Sequence, residues 1–145
     1  YAGSDLVCYR AERPSRLVEQ QSAAWDPILA WAKETLSATF VLARGLMPVT
    51  QPAESLTRVR AALEGFDCFG LCALHNMTTL TGSALMALAH ARGARTLTEI
   101  WAAAHVDEEF QIEAWGSDAE AMARRAHRWG EMQSAGALLG HVRPR

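Results

Sequence analysis

Three soft donors stand on one helical face: Cys68, Cys72 and His75, at i, i+4 and i+7. That spacing would let them ligate zinc, with His90 or His105 as a fourth donor. Their neighbours are strongly apolar, however, and free cysteine is among the most buried residue types, so the same three also read as core. His105 with Glu108 or Glu109 has the reach of an acid–base pair, although a surface histidine beside a carboxylate is common. Other chemistries lack their motifs. No histidine has Glu three residues before it, as a di-metal carboxylate bundle requires. The chain has no Gly-x-Ser-x-Gly elbow, no Ser-x-x-Lys pair and no phosphate-cradling glycine loop. Asn76-Met77-Thr78 matches a glycosylation sequon but falls inside an apolar helix. The residues favour a binding protein over an enzyme.

The elements that would position these groups are helical. Pro14 and Ser15 open a helix that Asp26-Pro27 restarts, with Trp25, Ile28, Leu29, Ala32 and Leu36 on one face. Leu6 to Tyr9 reads as a short extended piece or a single helical turn, and Thr39 to Val49 as irregular. Pro52 begins a helix with the stripe Leu56, Val59 and Leu63, and Gly65 ends it in a left-handed cap. Phe66 to Thr81 is apolar nearly all round, the mark of a central buried helix, and Gly82 to His90 continues in kind to Gly93. Thr96 and Glu99 form a capping box. Asp107 caps a short helix that ends at Gly116. Ser117 with Glu120 forms a second box, opening a last helix with the stripe Met122, Ala126, Trp129, Met132, Gly136 and Leu139. No strand of period two stands out. The expectation is one all-α domain over residues 1–145, six or seven helices around a buried central one.

Composition agrees with a single domain. The chain has 145 residues, 50% hydrophobic and 21% charged, with a net charge of -2. That balance argues against a nucleic-acid binder. No apolar run reaches the roughly 18–20 residues of a membrane helix. Three cysteines fit free thiols in a reducing compartment better than a disulfide framework. Thirteen of the fourteen basic residues are Arg, a bias of GC-rich bacterial genomes. The opening on Tyr1 reads as a piece of something longer.

Charge is organised near the C-terminus. Asp107, Glu108, Glu109, Glu113, Asp118 and Glu120 share a segment without Lys or Arg, for a formal charge of -6. From Ala121 onward Arg124, Arg125, Arg128, Arg143 and Arg145 against Glu131 give +4. Helix dipoles favour this order, acids at starts and bases at ends. The sharper reading is a docking surface for a basic partner, with Trp115 among its carboxylates.

The run Trp101-Ala-Ala-Ala-His-Val-Asp-Glu-Glu-Phe-Gln-Ile-Glu-Ala-Trp-Gly116 precedes Asp118-Ala-Glu-Ala121 and Arg124-Arg125. Together these resemble the C-terminal signature of the F-type ATP synthase assembly chaperone that serves the alpha subunit of the catalytic head. Asp5-Leu-Val-Cys-Tyr-Arg-Ala11 and Trp25-Asp-Pro-Ile-Leu-Ala-Trp31 resemble the same family. The resemblance implies the helical C-terminal part of a protein whose β-rich N-terminal part is absent here. It implies a non-enzymatic monomer that needs no cofactor and binds no nucleic acid or membrane. Such a protein masks the unassembled alpha subunit until the beta subunit takes its place, in the bacterial cytoplasm or the mitochondrial matrix. Members usually carry an acidic residue after Trp-Gly. This chain has Ser117 there, so either Asp118 or Glu120 stands in for that carboxylate or the role is lost. Candidate partner-binding residues are Glu108, Glu109, Glu113, Trp115, Asp118 and Glu120, with Trp115 and Phe110 packing their short helix in place. The alternatives are a zinc-binding helical domain or small metal-dependent enzyme on Cys68, Cys72 and His75, and a helical module with an unrelated partner.

Overall fold

Asp5 is fully buried, and its carboxylate has two tasks. Oδ1 accepts from the Val7 N–H at 3.2 Å, capping the 3-10 turn Leu6–Cys8. Oδ2 accepts from the Leu85 N–H at 3.0 Å, in the first turn of a helix 80 residues further along. The Leu6 N–H donates to the Gly82 carbonyl at 3.0 Å beside it. Burial pushes the Asp5 carboxyl above the ordinary range, against the pull of Ser83 and the N–H groups of Leu85, Val7 and Ala84. The start of the chain is thereby fixed to the middle of the fold. The computed structural model describes residues 2–45 and 48–141. Tyr1, Leu46, Met47 and the basic Arg143 and Arg145 lie outside the described residues.

After that turn, strand β1 (Tyr9–Arg10) pairs in parallel with β2 (Ala43–Arg44), with Tyr9 opposite Ala43 and Arg10 opposite Arg44. The expectation of an all-α fold is corrected to this extent: the domain is mostly helical but carries a two-strand parallel sheet. Gln51 extends the pairing as a side-chain strand, accepting from the Val41 N–H at 2.7 Å and donating to the Val41 carbonyl at 2.9 Å.

Helix α1 (Ser15–Trp31) runs without a restart through Pro27 into a π-helical turn (Ala32–Leu36). The carbonyl that Pro27 leaves without a helical donor belongs to exposed Ala23, where solvent can serve it. Asp26 caps nothing. It pairs with Arg10 at 2.8 Å, and the Arg10 guanidinium lies 5.5 Å from the Trp25 ring centre. Helix α2 (Ala53–Leu63) buries Ser55, Val59 and Ala62 rather than the expected Leu56, Val59 and Leu63. Ser55 holds its buried place by donating its hydroxyl to the Thr39 carbonyl. The helix ends at Glu64, and Gly65 adopts no left-handed cap.

The apolar run from Phe66 to His90 is two helices. Asp67 caps α3 (Cys68–Thr81), and Gly82, at φ 77°, ends it. Ser83 then caps α4 (Ala84–Ala91). Gly82 serves here because a left-handed residue with a side chain would be strained. The capping box of Thr96 and Glu99 opens α5 (Leu97–Ala104) as expected, with both bonds present. Helices α6 (Val106–Trp115) and α7 (Ala119–His141) complete the order.

The core gathers Trp25 and Ile28 from α1, Met77 from α3, Leu85, Met86 and Leu88 from α4, Ile100 from α5 and Met132 from α7. Buried Trp25 donates its indole N–H to the Ala103 carbonyl at 2.7 Å, so the largest core side chain is also satisfied. On α7 the buried stripe is Met132, Ala135 and Leu139. Met122 and Ala126 are exposed because the N-terminal half of that helix has less to lie against. Gly136 faces Leu97 so closely that a Cβ there would sit 3.1 Å from Cδ2.

Replacing Asp5 by Ala strands the buried N–H groups of Val7 and Leu85. The expected loss is about 2–4 kcal/mol of unfolding free energy, read from the denaturation midpoint at unchanged slope.

Candidate functional site

Helix α6, the acidic element, has no fully buried residue, and polar ties hold much of it. Gln21 is the main one. Its Nε2 donates to Asp107 Oδ1 at 2.7 Å, and its Oε1 accepts from the Ala11 N–H at 2.8 Å. Arg16 of α1 pairs with Glu113 at 2.7 Å. Arg125 of α7 pairs with Glu109 and lies 3.9 Å from Glu108. Asp107 is therefore a tie within the first turn of α6 and not its cap, which corrects the sequence expectation. Asp118 rather than Ser117 opens α7: its Oδ1 accepts from the Glu120 N–H at 3.0 Å, and Glu120 pairs with Arg124 one turn on at 3.1 Å.

The structure brings five of the candidate residues, Glu108, Glu109, Glu113, Asp118 and Glu120, onto α6 and the start of α7, each with a partner inside the chain. The surface is acidic, but its field is partly compensated by Arg16, Arg124 and Arg125. Trp115 was expected to pack α6 in place. Instead it is 87% exposed, and half-buried Phe110 is the aromatic that faces inward.

His105, between α5 and α6, is buried. Its Nδ1 lies 2.7 Å from the Trp101 carbonyl, so that nitrogen carries the proton. The ring packs 4.2 Å from the Trp101 ring, and Nε2 is 4.0 Å from Glu108. Burial pushes the His105 pKa down, and Arg125 and Arg128 push the same way. The Trp101 carbonyl and Glu108 oppose them. A buried, depressed histidine spent on a backbone carbonyl makes a helix joint rather than an acid–base pair.

Helix α3 departs furthest from the expectation of a buried central helix. Gly70, Ala73, Leu74, Met77, Thr78 and Thr81 are buried against the rest of the fold. The opposite face is open: Phe69 is 62% exposed and Leu71 40%, and Cys68, Cys72 and His75 are exposed beside them. The reading of these three as core is thus corrected. Among the described residues, no three His, Cys, Asp or Glu side chains converge on a metal position. Beside this face a groove of about 510 Å³ runs between α2, α3 and α4, floored by Val59, Leu74 and Leu88 and edged by Leu56 and Leu71. Neither feature is legible in the sequence, because a helix apolar nearly all round reads as buried on all sides.

Two solution readings test this geometry. A thiol reagent should titrate Cys68 and Cys72 in the native chain. Cys8, buried and pushed up to about 12 chiefly by that burial, should react only on unfolding. A histidine depressed by folding binds more protons when unfolded, so stability should fall as pH drops through its ordinary value of 6.5. A His105→Asn chain should lack that slope. The comparison isolates it from Asp5, whose raised carboxyl gives a slope of opposite sign.

Residues 1–33 match the ATP12 chaperone protein family. The fold matches the Atu1473 protein of Agrobacterium tumefaciens, described as a candidate chaperone, with a TM-score of 0.93 and 47% identity, covering 96% of this chain and 52% of that one. It also matches Atp12 from Paracoccus denitrificans, with a TM-score of 0.92 and 40% identity over 97% of this chain and 60% of that one. A single-substitution variant of the same Paracoccus protein matches at 0.92 and 39% identity, with the same coverage. The chain spans between 52% and 60% of the length of these relatives. The matches bear out the resemblance drawn from the signature residues.

Proposed function

From its kinship with the ATP12 chaperones, we propose that this chain acts as an assembly chaperone of the F-type ATP synthase. It binds the unassembled alpha subunit and keeps it from aggregating until the beta subunit displaces it. The observation that carries this reading is the open apolar face of α3. A folded chain that leaves Phe69 and Leu71 in water has surface suited to masking a partner's apolar surface. Release asks for contacts that are good but replaceable, and a partly apolar, partly charged surface supplies both.

Trp115 gives a second contact on the α6 side. An aromatic ring exposed to 87% offers large area at low entropic cost, and Glu108, Glu109, Glu113, Asp118 and Glu120 around it orient a basic stretch of the client. In this role the chain works as a monomer and without catalysis, in the cytoplasm if the source is a bacterium.

The test is aggregation of purified alpha subunit followed by light scattering. Near-stoichiometric amounts of the chain should suppress it. Phe69→Asp should weaken suppression several-fold with the thermal midpoint unchanged, since Phe69 buries little within the chain. Trp115→Ala should do so to a lesser degree. Full suppression by the Phe69 variant would remove α3 from the client surface. No suppression by the unaltered chain would contradict the chaperone reading.

A further inference from the structure

The groove between α2, α3 and α4 is mainly apolar, with the polar His75 and Thr78 of α3 on one wall and one fixed charge on the other. Leu56, Val59, Leu63, Leu71, Leu74 and Leu88 supply its large apolar side chains, and the exposed Arg60 of α2 joins them. The neighbouring arginines are engaged. Arg58 pairs with Glu54 at 3.6 Å, and Arg92 donates to the Ala62 carbonyl at 3.4 Å. Among the described residues, Arg60 has no carboxylate or carbonyl for its guanidinium. A volume of about 510 Å³ lies within the roughly 300–1,000 Å³ of ordinary binding pockets. Leu56 and Leu71 are exposed by 37% and 40%, so the apolar walls are open among the described residues.

We propose that this groove seats an apolar segment of the client that carries a carboxylate, its apolar side chains lying between α2 and α3 and its Asp or Glu meeting Arg60. The proposal rests on the chaperone reading and names the chemistry recognised at the α3 surface. The charge argument selects the occupant. A purely apolar segment would leave the guanidinium partly desolvated and unpaired, and a basic one would be repelled. A carboxylate both satisfies the fork geometrically and gains from the low local dielectric once the apolar walls close around it. The acidic surface of α6 and α7 asks for the opposite sign. The two sites would therefore fix the polarity in which a client lies on the chain.

Overlapping peptides spanning the alpha subunit, immobilised as an array, test this with the unaltered chain, Arg60→Glu and Leu71→Asp, alongside aggregation of the whole subunit. The bound peptides should be apolar and contain Asp or Glu. Arg60→Glu should lose about tenfold affinity for them and gain affinity for counterparts bearing Lys or Arg, an inversion that loss of folding would not produce. Leu71→Asp should weaken all of them. If peptides bind without acidic enrichment, or equally well to Arg60→Glu, the groove assignment falls even where the subunit is still kept soluble. If the chain dimerises in solution and Leu71→Asp abolishes the dimer, the groove belongs to a second copy and the assignment falls. Acid-selective peptide binding that inverts with Arg60→Glu, without suppression of aggregation, would uphold the groove and overturn the chaperone reading. Binding to neither peptides nor subunit would overturn both.

Discussion

The buried carboxylate of Asp5 is the constraint on which the rest of the arrangement depends. It holds the N-terminal turn against the first turn of α4, and the Leu6–Gly82 bond beside it clamps the corner between α3 and α4. That corner sets the direction of α3. Once α3 is committed to packing on α4 and α7, its remaining face has nothing in the described chain to cover it. Ala2 and Gly3, held in place by the same clamp, close one end of the groove beside that face. A buried acid is a costly way to join two segments, since burial disfavours its charged form. It is also specific, because no apolar contact could satisfy two helix-turn N–H groups at once.

A second polar junction does for α6 what Asp5 does for α3. The Gln21 side-chain amide spans from the Ala11 backbone to Asp107, so a single residue of α1 fastens both the post-strand segment and the acidic helix. The motifs that carry the family resemblance meet here: Arg10 stacks over Trp25, Trp25 reaches Ala103, and Gln21 reaches Asp107. Their contacts give these motif residues a structural role. It does not by itself make any of them a client contact.

What could be read in the sequence was local. Thr96 with Glu99, Gly93 and Gly116 announce helix ends by chemistry within three or four residues, and the structure places them as expected. The parallel pair was invisible because each strand has two residues and the partners lie more than thirty positions apart. The stripe on α2 turned because Ser55 earns its burial through a hydrogen bond to Thr39, which no count of hydrophobic residues registers. The acidic segment was plain in the sequence. Its compensation by Arg16 and its tie to Gln21 were not, since the partners lie 97 and 86 residues upstream. Helix α3 misled most. Its exposed side carries cysteines, Phe69 and Leu71, which read as core. Only His75, Asn76 and Thr79, grouped on the same side, hinted at solvent.

Together these features describe a chain whose stability comes from a core shared by α1 to α5 and α7, while Phe69, Arg60 and Trp115 lie outside that core. Perturbing Phe69, Arg60 or Trp115 should therefore leave the fold intact. Hydrogen exchange of the chain, alone and bound to the alpha subunit, tests the central claim most directly. The account predicts slower exchange on binding at the start of α3 and along α2, around Leu56, Arg60 and Leu71, with further protection near Trp115. A complex that forms while the α2 and α3 amides exchange as fast as in the free chain would contradict it.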